Sequence, residues 1–399
     1  MTLSFTDWTI EQQAESLRWF DALHAMPETG FGETRTAAYV ASELRKLGLE
    51  VVEGIGGTGL VGLLRRGMPD APFIGLRAEL DALPMQGPPD GTIQTPEGPR
   101  YHGCGHDGHM ATLLTTAAIL SRHIDLTSNV AFLFQPAEEL LTGAAAILAD
   151  GLLDRVPMSA IYALHNIPGL PAGSAGVAER AAFASSDEVR VTVRAQGTHG
   201  SAPQTGQDAI LAAAHFLSLC QTLLTRRTDC RDSAVLSFGQ IAGGQAPNVL
   251  PDQVVIAGSL RSHSETARAA VHALLRDAAE STKQAFGAAV DVAIDQKVPV
   301  LINDPTCAAR VRDAILRRLG RDRLIAAPRP VMASEDFSLY LRHLPGAYVF
   351  VGQDGAYCHH PDYRFDTRII PVGAAILTEL VLGPARESSR PTHTVTSQF

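Results

Sequence analysis

Four side chains able to hold a metal ion lie within eight positions: His102, Cys104, His106 and His109 in HGCGHDGH. An acid pair, Glu138 and Glu139, follows in FQPAEE. Imidazole and thiolate suit zinc and its neighbours, and a free carboxylate beside them can move protons. The combination is what a metal-assisted hydrolase requires. In a chain with 14 His and 5 Cys, such density is not expected by chance. Gly103 and Gly105 permit a tight turn, while Asp107 is either a ligand or the acceptor that fixes an imidazole tautomer. A Cys–His nucleophilic dyad is the rival use of Cys104, but dyads draw their base from a distant segment and here the nearest imidazoles are sequence neighbours. Of the two adjacent acids, one can bind metal while the other accepts a proton from the reacting water, provided a cleft raises its pKa towards neutrality.

These residues need a scaffold. FIGLRAEL (73–80), NVAFLFQ (129–135) and SAIYALHN (159–166) read as buried strands, and 110–120 as a buried helix that His109 begins. Strands alternating with helices describe an α/β sheet, which binds ligands outside its carboxyl edge. His165, closing the third strand, becomes a candidate on that edge, as do His359 and His360 in YCHHPDY. Residues 10–24 and 34–47 carry helical spacing. Gly54, Gly56 and Gly59 match a dinucleotide-binding pattern, but the segment after them reads as a strand and offers no helix N-terminus, so a glycine turn between strands is preferred. From about residue 185 the order becomes β-α-β-β-α-β, an antiparallel sheet with two helices on one face. The expected fold is α/β: a catalytic domain of residues 1–184 and 296–399 with a mixed, mostly parallel sheet flanked by helices, and an inserted ferredoxin-like α+β domain over 185–295. His199, in GTHGSAP, falls in the insert and reaches a metal site only across a domain or subunit gap.

A chain of 399 residues exceeds what one core usually supports, which agrees with two domains. A net charge of −9 implies no basic face, so no nucleic-acid partner is expected. The first twenty residues lack the basic start and apolar core of a secretory signal, and no apolar run approaches the ~18 residues of a membrane span. Five scattered cysteines (104, 220, 230, 307 and 358) fit a reducing compartment. The expectation is a cytoplasmic protein without membrane contact, ending in a polar, frayed tail from residue 385.

Taken together, the motifs resemble the M20 metallopeptidase family, in the aminoacylase/amidohydrolase branch of hippurate hydrolases and auxin-conjugate hydrolases. LHAMPETGFGETRTA, RAELDALPM, HGCGHDGHMATLL, FQPAEE, ALHNIPGLPAG, GTHGSAP, APNVLPD, ASEDFSLYL and HHPDYRFD resemble that family's blocks in its order. The resemblance implies a catalytic α/β domain, a lid that often forms a homodimer contact, and two divalent ions per subunit (Zn, Mn, Co or Ni) held by Cys104, His106, Glu139, His165 and His359. It makes Glu138 the general acid/base, His199 a lid histidine that steadies the tetrahedral oxyanion within or across subunits, and Asp81 an acid behind the ligands. The implied reaction is hydrolysis of an N-acyl amino acid to a carboxylic acid and an amino acid, with water activated between the ions. Asn248 and Arg261 in the lid are candidates for gripping a substrate carboxylate. Carbamoyl-amino-acid hydrolysis and desuccinylation need the same metals and differ in the pocket. A catalytically dead, metal-dependent binding protein is the reading from another class, and the intact base and ligand set argue against it. Three residues depart from the family pattern: Glu79 where Asp is usual, Gln204 where His is common, and Cys358 where an aliphatic residue is common. None removes a ligand or the base.

Overall fold

Strands that send alternate side chains into two covered cores build the centre of the molecule. In the computed structural model, which describes residues 9–123, 125–229 and 231–383, Val130, Phe132 and Phe134 of the strand Asn129–Gln135 enter one core, while Ala131 and Leu133 enter the other. Met158–Pro168 and Gly346–Gln353 divide the same way. Both faces are covered, so these strands read as unbroken apolar runs. The eight-stranded sheet has the order Glu50–Ile55, Gly59–Leu64, Asn129–Gln135, Phe73–Glu79, Met158–Pro168, Gly346–Gln353, Ala175–Val177, Leu324–Ile325. From Asn129–Gln135 to Gly346–Gln353 the strands are parallel. Antiparallel pairs flank them. Helices Ile10–His24, Thr34–Lys46, His106–Ser121, Pro305–Leu319 and Ile370–Leu382 cover one face. Gly143–Ala149, Leu152–Arg155 and the turn Asp336–Arg342 cover the other. The glycine cluster after residue 53 is the expected turn: Gly56 (φ 63°) and Gly57 (φ 101°) join an antiparallel hairpin. The polar tail and Cys230 lie outside the described residues.

Two boundaries differ from expectation. The helix after the His/Cys cluster begins at His106, not His109, because Gly105 (φ 90°) makes the turn and Asp107 sits in the first helical turn, where the helix dipole favours an acid. The third strand runs on to Pro168, so His165 lies within it; pairing with Gly346–Gln353 continues through Pro168↔Gln353.

A second sheet has the order Ala234–Gly243, Gln253–Ser262, Ser186–Arg194, Ala289–Val298, antiparallel throughout. Val189, Val191 and Val193 face the helices Ala209–Arg227 and Glu265–Phe286, whose N-termini are capped by Asp208 and Ser264. The first helix is closer to a membrane span than the sequence reading allowed, with 19 residues and mean hydropathy 1.3. Its stripe of Ala212, Ala213, Phe216 and Cys220 packs on the sheet, and Arg226 and Arg227 close it.

Glu43 ties the first two helices together. It accepts from Trp19 Nε1 (2.7 Å), Arg18 Nη2 (2.8 Å) and Lys46 Nζ (2.6 Å). Burial alone would raise its pKa, but these donors pull it from 4.5 down to about 2. A depressed carboxyl adds stability above its unfolded pKa, and that stability is lost as pH falls from 4.5 through about 2. Glu43→Gln is therefore expected to cost about 1–3 kcal/mol near neutral pH. It should also flatten the acid limb of the stability curve, as read by denaturant unfolding at a series of pH values.

Candidate metal centre

The carboxyl edge of the parallel strands collects the chemistry. Asp81 follows Phe73–Glu79, Glu138 and Glu139 follow Asn129–Gln135, His165 rides on Met158–Pro168, and His359 lies in the loop after Gly346–Gln353. The turn entering His106–Ser121 adds Cys104 and His106. Cys104 Sγ is 3.4 Å from His165 Nε2, whose Nδ1 is held 2.7 Å from Asn166 O. His106 Nδ1 is 2.8 Å from Asp81 O, leaving Nε2 aimed at Glu138 Oε2 (3.9 Å) and Glu139 Oε1 (4.0 Å). His359, at φ 67°, brings Nε2 to 3.3 Å from Glu139 Oε1. Thus four of the five proposed ligands line one cleft, and His106 is buried against them. Donor atoms of Cys104, His106 and His165 lie within 4.8 Å of one another, and so do those of Cys104, Glu139 and His359.

Among the described residues, Asp81 Oδ1 and His106 Nε2 are buried without a hydrogen-bond partner, and Glu139 Oε1 has only the His359 ring 3.3 Å away and the His106 ring 4.0 Å away. Such atoms are costly unless something binds them. One sulfur, three imidazoles and carboxylate oxygens are a donor set that fits divalent ions from zinc to manganese.

Backbone contacts shape the loop that carries the acid pair. Ala137 (φ 50°) and Leu141 (φ 55°) take left-handed conformations. Glu33 Oε1 accepts from Ala137 N (2.8 Å), while Glu33 Oε2 takes Thr58 Oγ1 (2.6 Å); Asp81 Oδ2 accepts from Glu139 N (3.0 Å), and Asp336 Oδ2 from Ala144 N (2.8 Å). Glu33→Ala strands a buried N–H one residue before Glu138. We expect kcat to fall roughly 10- to 100-fold, the scale of a small misplacement of a reacting group. Glu33→Gln keeps an acceptor for Ala137 and a donor for Thr58, so it should retain most activity. A lowered melting temperature with unchanged kcat in the alanine variant would show that Glu33 supports the fold only.

Behind Glu138 lies a charge network that the sequence reading missed. Arg77, fully buried, pairs with Glu79, with Glu335 (2.9 Å) and with Asp336 (3.1 Å), and Tyr348 Oη donates to Glu335 (2.5 Å). Glu79 also meets His109 Nδ1 (2.8 Å). Burial, and then the nearby carboxylates of Glu335, Glu139 and Asp336, push the Glu138 carboxyl well above its ordinary range. ASEDFSLYL was noticed as a block, but nothing in its spacing pointed to Arg77.

Not every candidate joins the cleft. Both ring nitrogens of His109 are engaged, by Glu79 and by Asn166 Oδ1 (2.7 Å), so it braces the neighbour of His165. His102 is buried with neither nitrogen partnered among the described residues, and burial lowers its pKa to about 4. Asp107 turns to His24 Nδ1 (2.6 Å) and its described hydrogen bonds reach no proposed ligand. His360 is turned to Asp362. His199 is exposed, with Nδ1 2.8 Å from Ser201 Oγ, on a short strand paired with Val249–Leu250. Asn248 is exposed beside it. Arg261 does reach the cleft, a cavity of about 450 Å³, where it bonds Ser334 beside Met332 and Phe183. Burial lowers its pKa, against the opposing charge of Asp187.

Residues 75–383 match the profile of peptidase family M20/M25/M40. The chain is 33% identical over 373 residues to N-acetyl-L-cysteine deacetylase of Bacillus subtilis, covering 93% of this chain and 88% of that protein. It is 32% identical to hippurate hydrolase of Campylobacter jejuni, covering 94% and 97% of the two chains. A crystal structure of a Bacillus subtilis protein described as a dinuclear metal binding peptidase superposes with a TM-score of 0.80 at 30% identity, over 94% of this chain and 98% of that one.

Proposed function

The chain belongs to peptidase family M20/M25/M40, in its aminoacylase/amidohydrolase branch, and on that premise we propose how its residues divide the work of a metal-dependent hydrolase of N-acyl amino acids. Cys104, His106, Glu139, His165 and His359 hold two divalent ions, with Asp81 behind them. The observation that carries this is the convergence of these donor atoms within 4.8 Å of one another at the sheet edge, with His106 Nε2 buried and unpartnered among the described residues. When bound, such ions polarise an amide carbonyl and make water a better nucleophile.

The protein's own groups do the rest. Glu138, unligated and with a raised pKa, takes a proton from the attacking water as its oxygen bonds to the acyl carbon. It gives that proton to the amide nitrogen as the C–N bond breaks, leaving a carboxylic acid and a free amino acid. Arg261, at the cleft wall and without an ion pair to a carboxylate among the described residues, receives the substrate carboxylate beside Phe183, Ile167 and Met332. His199 steadies the oxyanion when the unit of residues 185–295 closes over the unit of 1–184 and 296–399. The first has a hydrophobic core of its own, which supports this division. Its edge strand Ala234–Gly243 leaves Val235 and Ile241 exposed, which favours a homodimer through this unit.

Removal of metal by a chelator should abolish turnover, and single additions of Zn, Mn, Co or Ni should restore it to different extents. N-acetyl, N-benzoyl and N-carbamoyl amino acids form the test panel. Turnover unaffected by complete metal removal would end this proposal, and preference for the carbamoyl compounds would redirect it within the family.

A further inference from the structure

Cys358 precedes the proposed ligand His359 and stands against the proposed ligand Cys104. Its Sγ is 3.9 Å from the Cys104 carbonyl oxygen, and it faces the same cavity as Cys104. The backbones are tied at this point: His359 N donates to Gly103 O (2.8 Å), so residues 104 and 358 flank a hydrogen bond between the two segments. A disulfide needs α-carbons roughly 4.4–6.8 Å apart, so its two cysteines must sit on backbones held side by side. Both sulfurs line the cavity through which small solutes reach the site. Cys220 and Cys307 are buried in cores away from it.

We propose that Cys104 and Cys358 are an oxidisable pair, and that a peroxide closes them into a disulfide that withdraws Cys104 from metal. The peroxide oxidises the more exposed Cys358 thiol to a sulfenic acid and leaves as water. The Cys104 sulfur then attacks that sulfur; the S–S bond forms, the S–O bond breaks, and a second water departs. Both thiol hydrogens end in water, and the two-electron oxidation of the thiols matches the two-electron reduction of the peroxide. A thiol reductant reverses the step. Disulfide formation depends on the sulfur positions alone. The loss of metal rests in addition on Cys104 being a ligand, as proposed above.

The test treats the metal-loaded protein with hydrogen peroxide. It follows the Cys104–Cys358 peptide by non-reducing mass spectrometry, released metal by a chromogenic chelator, and turnover before and after dithiothreitol. The expected result is a linked peptide two hydrogens lighter, metal release, and at least a tenfold loss of turnover that the reductant restores. Cys358→Val and Cys358→Ser should each keep their own starting turnover and metal through the same treatment. Absence of the linked peptide, or sulfinic and sulfonic acids in its place, overturns the pair. A linked peptide without metal release overturns the switch. Full metal content in untreated Cys104→Ala would remove the ligand assignment and the metal half of the switch, while the peptide map would still decide the disulfide.

Discussion

Glu138→Gln is expected to lower kcat by about a thousandfold or more while the protein keeps its full metal content, the scale on which a single acid/base group acts. The argument is geometric first. Glu138 is buried at the sheet edge, with Oε2 3.9 Å from His106 Nε2, and it lies outside both donor sets that share Cys104. Glutamine has the same shape and fills the same space, so the loop held by Glu33, Asp81 and Asp336 should stay in place. It cannot accept and return a proton. Glu139→Gln is the contrast: its carboxylate meets His359 and His106, and its replacement should release metal along with activity. Single-turnover rates with elemental analysis separate the two variants. Near-normal turnover by Glu138→Gln would remove that residue from the role, and metal loss by the same variant would make it a ligand.

The sequence made the scaffold legible where one physical rule dominated. The central strands are covered on both faces, so an apolar run was enough to find them. Cys104 and His106 stood out because two ligand types crowd into one short turn of a chain with only 14 His and 5 Cys. His165 was placed on the right edge for an incomplete reason: the strand does not stop there but continues along its neighbour to Pro168. The environment of Glu138 was beyond reach, because Arg77 and Glu335 are 258 positions apart and only the fold brings them together. His109 shows the opposite limit. Its spacing matched a ligand, yet Glu79 and Asn166 occupy both its nitrogens. No local pattern reports which neighbour a ring nitrogen will find.

His199 is the proposed catalytic residue that the described structure holds outside the cleft. It is exposed, its Nδ1 is turned to Ser201, and it lies outside the cavity lining. If it steadies the oxyanion, His199→Ala should lower kcat by about 10²–10³-fold, the usual loss for one such donor, with metal content unchanged. If the group comes from a second subunit, two inactive variants should rescue each other. In a mixed dimer of Glu138→Gln and His199→Ala chains, one cleft keeps its own Glu138 and receives an intact histidine from its neighbour, while the other has neither. Random pairing of equal amounts in a two-fold dimer then restores about a quarter of wild-type activity. Action within one chain predicts no rescue, because each chain carries its own lesion. Co-expression with two affinity tags isolates the mixed dimer and decides between these outcomes. Full activity of His199→Ala alone would remove the histidine from catalysis altogether.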